Sequence, residues 1–96
     1  GSFESGSARL LIVLGADIAI VASGNKKGEM RLSTRASNRI VSNGFNLTTI
    51  LESISEMNGG SAGGHPGAAG YNGKGDPEAI SEITKQKCIN AIRELP

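Results

Sequence analysis

The residue best placed to do chemistry is His65, the only histidine in the chain. It sits inside residues 58–75, N-G-G-S-A-G-G-H-P-G-A-A-G-Y-N-G-K-G, which hold Gly59, Gly60, Gly63, Gly64, Gly67, Gly70, Gly73 and Gly75, more than half of the chain's 14 glycines. Glycine at this density means backbone that turns tightly, adopts positive φ, or lets another molecule approach closely. Flanked by Gly64 and Pro66, His65 stands on a short, stiff step from which its ring can point outward. Ala68 and Ala69 leave room for a polymer backbone at the same surface. Exposed amides beside an imidazole donor suit an anion, so the stretch reads as a phosphate or nucleic-acid contact loop. The plainer reading is a Gly-rich linker with a solvated histidine, and composition leaves both open.

A second group of candidates lies in residues 29–35, E-M-R-L-S-T-R. In a strand, successive side chains point to opposite faces. Met30, Leu32 and Thr34 then share one face, and Arg31, Ser33 and Arg35 the other, with Ser37 just beyond the strand. Guanidinium groups in line with a hydroxyl make a phosphate clamp, because arginine can hold an oxyanion through two parallel hydrogen bonds. The same alternation also describes an ordinary solvated sheet face.

Other chemistries are excluded more firmly. One histidine and one cysteine cannot make a four-ligand zinc site. No acidic cluster could hold a catalytic metal pair. The glycine stretch is not a P-loop, since Lys74 is followed by Gly75 and Ala68 stands where the first motif glycine belongs. It is no dinucleotide fingerprint either, because it follows a helix rather than a strand. A net charge of +1 at 96 residues is too mild for a protein that coats nucleic acid through a general basic field, so any polyanion site must be local. The single Cys88 rules out an internal disulfide and fits a reducing cytoplasm. The apolar runs at 10–14 and 18–22 are too short to span a bilayer, so a cytoplasmic protein with no membrane partner is expected.

The elements that must position these residues follow from pattern. Residues 3–14 read as a short buried helix with Ser5 or Ser7 as N-cap and Gly15 as terminator. Residues 17–23 are rich in β-branched and small side chains and pair as a hairpin with 29–35. A short helical segment at 38–43 stops at Gly44. Asn46 caps a helix from 47 to 58 whose stripe is Leu47, Ile50, Leu51, Ile54 and Met57, and Gly59 closes it. Residues 68–72 return to the sheet as a strand. Asp76, Pro77 and Glu78 start a last helix, with Ile80, Ile83, Cys88, Ala91, Ile92 and Leu95 on its apolar face. Cys88 there is a small packed residue rather than a nucleophile. The expected fold is one α/β domain over 1–96, a small mixed β-sheet with helices packed on it and the Gly-rich His loop at its edge. Gly1-Ser2 reads as a cloning remnant.

Residues 59–70, G-G-S-A-G-G-H-P-G-A-A-G, resemble the glycine-histidine and alanine-alanine-glycine signature of the DHH-associated C-terminal domain of DHH phosphoesterases. S-T-R-A-S at 33–37 resembles that domain's Ser-x-Arg motif. V-S-N-G-F-N-L at 41–47 resembles the turn joining them in archaeal-type RecJ-like exonucleases. Ala62 departs from the pattern, standing where the first glycine of a triplet is expected. The resemblance implies the substrate-binding half of a two-domain enzyme. Its catalytic DHH domain, absent from this chain, would bind Mn²⁺ or Mg²⁺, while this half binds no cofactor or metal and alone hydrolyses nothing. It implies that His65 meets the scissile phosphate and that Ser33 and Arg35 grip the backbone. Ser37, Gly63, Gly64, Ala68, Ala69 and Gly70 complete the implied substrate surface. The partners implied are single-stranded nucleic acid or a short oligonucleotide and the DHH domain of the same parent chain. The alternatives are a tRNA-binding module like the C-terminal domain of alanyl-tRNA synthetases, and a non-catalytic dimerisation domain.

Overall fold

The apolar run at 10–14, expected as a buried helix, is extended. In the computed structural model, which describes residues 7–96, it forms the second half of strand β1 (Ser7–Leu14). Ser5 and Gly1-Ser2 lie outside the described residues, and Ser7 opens the strand. The reason for the difference is pairing. Strand β2 (Ile18–Asn25) matches β1 residue for residue, from Ser7 opposite Asn25 to Leu14 opposite Ile18. Gly15, read as a helix terminator, takes φ 59° in the three-residue turn between them. A left-handed glycine closes a helix or a hairpin equally well, so the local signal fits both and the partner strand decides.

The remaining elements are β3 (Glu29–Ala36), α1 (Asn38–Val41), α2 (Leu47–Asn58), β4 (Ser61–His65), β5 (Ala68–Lys74) and α3 (Pro77–Arg93). The β2–β3 hairpin forms as expected. The five strands lie in the order β1-β2-β3-β5-β4. Every pairing is antiparallel, so the sheet is not mixed. The helical crossover does deliver β4 in the direction of β3, but β5 lies between them. The Gly-rich stretch is therefore largely a β-hairpin and not a loop, with Pro66-Gly67 as its two-residue turn.

The helices cover one face of the sheet. Ile20, Ala22, Leu32, Thr34 and Tyr71 point into that face and are buried against Leu47, Leu51 and Ile54 of α2 and Ile80, Thr84 and Cys88 of α3. The caps are those the sequence indicates. Asn46 accepts from the Thr48 amide at 2.9 Å, and Asp76 accepts from the Ala79 amide at 3.3 Å with Pro77 in the first turn. Two apolar assignments differ. Met57 is 51% exposed and Ile83 36% exposed. On α3 the inner positions go instead to Ser81 and Thr84, whose hydroxyls donate back to the carbonyls of Glu78 (3.0 Å) and Ile80 (2.8 Å). A hydroxyl satisfied this way can be buried, which a count of apolar residues overlooks. Cys88 is fully buried, and burial pushes its thiol up to about 11, so it packs as a neutral side chain.

Asp17 sits in the β1–β2 turn rather than at the head of β2. Its carboxylate accepts from Ser37 Oγ at 2.6 Å and from Arg39 Nε at 3.2 Å, and pairs with the second guanidinium nitrogen of Arg39. Its backbone carbonyl accepts from the Ser37 amide at 2.7 Å. The turn thereby fixes the chain where it leaves β3. The bonds from Arg39 first, and from Ser37 second, hold the Asp17 carboxyl below its ordinary value. A carboxyl depressed on folding contributes stability above its unfolded pKa, and that contribution is lost as the pH falls through the folded value. Asp17→Asn should therefore lower the melting temperature at pH 7, with the gap to the unsubstituted protein closing as the pH falls below the ordinary aspartate range. A gap that stays constant across that range would show that the carboxylate charge does not matter.

Candidate functional site

The uncovered face of the sheet carries the candidate residues, and the strand register sets them in rows. One row reads Val13, Ala19, Arg35, Ala68, His65 from β1 to β4. The next reads Leu11, Val21, Ser33, Gly70, Gly63, and the third Arg9, Ser23, Arg31, Asn72, Ser61. Neighbouring strands are about 4.8 Å apart, so His65 and Arg35 stand about 10 Å apart across Ala68. Rows along one strand are about 7 Å apart. The alternation that exposes Arg31, Ser33 and Arg35 while burying Met30, Leu32 and Thr34 is the one the sequence indicates.

Among the described residues, neither Arg35 nor His65 has a hydrogen-bond or ion-pair partner within the protein, and both side chains are exposed. Ala68 between them is half-buried and has only a methyl group to offer. Ser33 lies beside them in the glycine row. The His65 end of the hairpin is tied down from two sides. The Leu47 amide, at the head of α2, donates to the Pro66 carbonyl at 2.9 Å, and the Ala36 amide donates to the Gly67 carbonyl at 2.9 Å. A histidine beside a turn is thus held by backbone bonds and needs no side-chain contact of its own.

The glycines divide by what surrounds them. Gly64 has φ 138°, and a Cβ there would meet the Ala68 carbonyl and come within 2.6 Å of Ala69 Cα. The chain needs glycine at that position to fold. Gly63 has no heavy atom within 4 Å of where a Cβ would stand. It faces Gly70 across the strand pair, and together they leave a bare strip beside Ser33. No side chain among the described residues fills this strip. Ala62, the departure from the glycine pattern, is an inner-face strand residue packed against the core, where an alanine is accommodated.

Two other expected contacts, Ala69 and Ser37, are placed differently. Ala69 points inward and is 7% exposed, and its carbonyl accepts from the buried Thr34 hydroxyl at 2.8 Å. Ser37 is engaged with Asp17 and caps α1, accepting from the Ile40 amide at 3.4 Å. Its role in the fold is to position the turn next to Arg35. Tyr71, the aromatic nearest the histidine stretch, is fully buried, donating to the Gly59 carbonyl at 2.7 Å and accepting from Asn58 at 2.9 Å. It offers no ring on which a base could stack.

The open face also contains residues that sequence reasoning missed. Arg9 is on it because β1 is a strand, and Ser23 and Asn72 are on it through register. Alternation in S-A-R-L-L-I-V-L was the signal available for Arg9, masked by the run of apolar residues. Among the described residues, no three of His, Cys, Asp and Glu come together as metal ligands. His65 is surrounded by glycine, alanine and proline, so the residues here do not fit the Mn²⁺ or Mg²⁺ pair that the resemblance implies for the catalytic half. No helix among them is long and apolar enough to cross a membrane.

An exposed imidazole and guanidinium thus stand on one row of an open sheet face, beside a strip without side chains. Residues 7–93 match the DHHA1 domain family, and the chain belongs to it: this is the DHH-associated domain of DHH-family phosphoesterases. It is also similar to Uncharacterized protein MJ0988 of Methanocaldococcus jannaschii, with 34% identity over 90 residues, covering 93% of this chain and 27% of that protein. The chain thus spans about a quarter of the length of the relative it matches.

The two adjacent glycines provide a direct check on this division. Gly64→Ala places an L side chain at positive φ against backbone and should cost at least about 1–3 kcal/mol, read as a clear fall in the denaturation midpoint. Gly63→Ala meets nothing and should stay within about 0.5 kcal/mol, as open surface sites do. Equal losses at both positions would contradict the assignment of Gly63 to the ligand face.

Proposed function

We propose that the domain binds single-stranded nucleic acid or a short oligonucleotide for a metal-dependent DHH phosphodiesterase, a RecJ-like exonuclease or a short-oligonucleotide hydrolase. The observation that carries the reading is that His65 and Arg35 share one open-face row, both free of internal partners among the described residues, beside the bare Gly63–Gly70 strip. Membership of the DHHA1 family supports the phosphoesterase context. His65 donates to the phosphate undergoing cleavage, where charge develops. Arg35 holds a neighbouring, non-reacting phosphate with its two parallel N–H groups. Ser33 adds a hydroxyl donor one row along β3 from Arg35, and the glycine strip lets the sugar–phosphate chain lie against the sheet. In this reading a metal pair held by the DHH domain of the parent enzyme would supply the nucleophile, and the residues of this domain bind and place the strand.

Phosphate contacts without base readout give weak, salt-sensitive, sequence-tolerant binding. Among the described residues the aromatics, Phe45 and Tyr71, are both buried, so these offer none of the base stacking that usually makes single-strand binding tight.

Steady-state kinetics of the parent enzyme separate the two roles. His65→Ala should mainly lower kcat, by about 10²–10³, the usual cost of losing one donor to developing charge. Arg35→Ala should mainly raise KM, because its contact is the same in ground and transition states. Both variants should melt with the unsubstituted protein, since neither side chain is packed. A His65→Ala enzyme with normal kcat and a melting temperature several degrees lower would make the histidine structural and refute the reading.

A further inference from the structure

The third open-face row is polar on every strand. Arg9, Ser23, Arg31, Asn72 and Ser61 follow one another from β1 to β4, while the row of Leu11 and Val21 and the row of Val13 and Ala19 are apolar over β1 and β2. Two guanidinium groups therefore share a row, about 10 Å apart across Ser23. Neither forms an ion pair among the described residues, where the pairs are Arg39 with Asp17 and Lys85 with Glu82. The nearest carboxylate along β3 is Glu29, whose Oε1 accepts from Asn25 at 2.9 Å and which is registered opposite Lys74. Arg31 is held in place: its Nε donates to Asn72 Oδ1 at 3.1 Å. That bond fixes the guanidinium plane and leaves its terminal nitrogens open. Arg9, Arg31, Ser23 and Asn72 line one groove with Ser33 and Gly70. The groove thus runs from the polar row into the glycine strip, towards His65 and Arg35.

We propose that Arg9, Ser23, Arg31 and Asn72 form a second phosphate-binding subsite, so that the domain takes a single strand of three or more nucleotides rather than a dinucleotide. The proposal rests on the function proposed above and names the length class of its substrate. Along β3, Arg31 lies four residues from Arg35, about 14 Å, which is more than one sugar–phosphate repeat of an extended strand. A dinucleotide seated at His65 and Arg35 ends before it. A longer strand crosses the bare Gly63–Gly70 strip and delivers its next phosphates to the Arg31 row. With no Phe, Tyr or Trp side chain at this row among the described residues, the contact is to phosphate and not to base, so it adds affinity and reach without sequence preference.

The test compares 5′-phosphorylated oligothymidylates of two and of six residues, titrated into the 96-residue chain over a range of salt concentrations. The hexamer should bind more tightly than the dimer. Arg31→Gln and Arg9→Gln should each weaken the hexamer several-fold and reduce the slope of log K on log salt by about 0.7, the single-strand value for one phosphate contact, while leaving the dimer unchanged. Equal affinity for dimer and hexamer overturns the proposal, as do variants that weaken both ligands alike or neither. Arg35→Ala tells the two levels apart. If it weakens both ligands while Arg9→Gln and Arg31→Gln change nothing, the second subsite alone is wrong. If neither ligand binds, or Arg35→Ala has no effect on either, the nucleic-acid reading fails and the subsite with it.

Discussion

The structure depends on a sheet covered by helices on one side only. Once α2 and α3 bury the inner face, the pleat assigns every strand residue to core or to open surface, and a slip of one residue in any pairing would exchange the two. The register of β3, β5 and β4 is therefore what makes a site out of residues far apart in sequence. It sets Arg35 opposite Ala68 and Ala68 opposite His65, and it sends Thr34, Ala69 and Tyr71 inward. The register is in turn pinned by buried polar bonds that a slip would break: the Thr34 hydroxyl to the Ala69 carbonyl, and Tyr71 to the Gly59 carbonyl and Asn58.

The glycine-rich stretch shows how one residue type serves two ends. At Gly64 a side chain has nowhere to go, and at Gly63 it would stand in open space. The first is a requirement of folding. The second has no such requirement among the described residues, and the proposed function gives it one in the close approach of a ligand. Around Gly63 and Gly70 the open face is bare backbone, with the His65–Arg35 row on one side and the polar Arg31 row on the other.

Much of this was legible in the sequence wherever the signal was local. The alternation in E-M-R-L-S-T-R placed Arg31, Ser33 and Arg35 on one face, and the caps at Asn46 and Asp76 fixed where α2 and α3 begin. Where two structures share a local signal, reading failed. The apolar run ending at Gly15 fits a helix or a strand until β2 is seen beside it, and reading it as a helix removed Arg9 from the open face. The glycines of 59–70 announce close approach but not that they pair as a hairpin, because glycine carries little strand preference. Ser37 looked free for a ligand, and only the fold shows Asp17 waiting for its hydroxyl. Ser81 and Thr84 were missed as core because their burial depends on bonds back to their own helix.

The account's central claim is that ligand meets the open face along the His65–Arg35 row. Amide chemical-shift mapping of the 96-residue chain with a short single-stranded oligonucleotide tests it directly. Shifts should concentrate on Ser33, Arg35, Gly63, His65, Ala68 and Gly70, with the amides of α2 and α3 unmoved. Shifts confined to the helices, or spread without regard to the two faces, would contradict it.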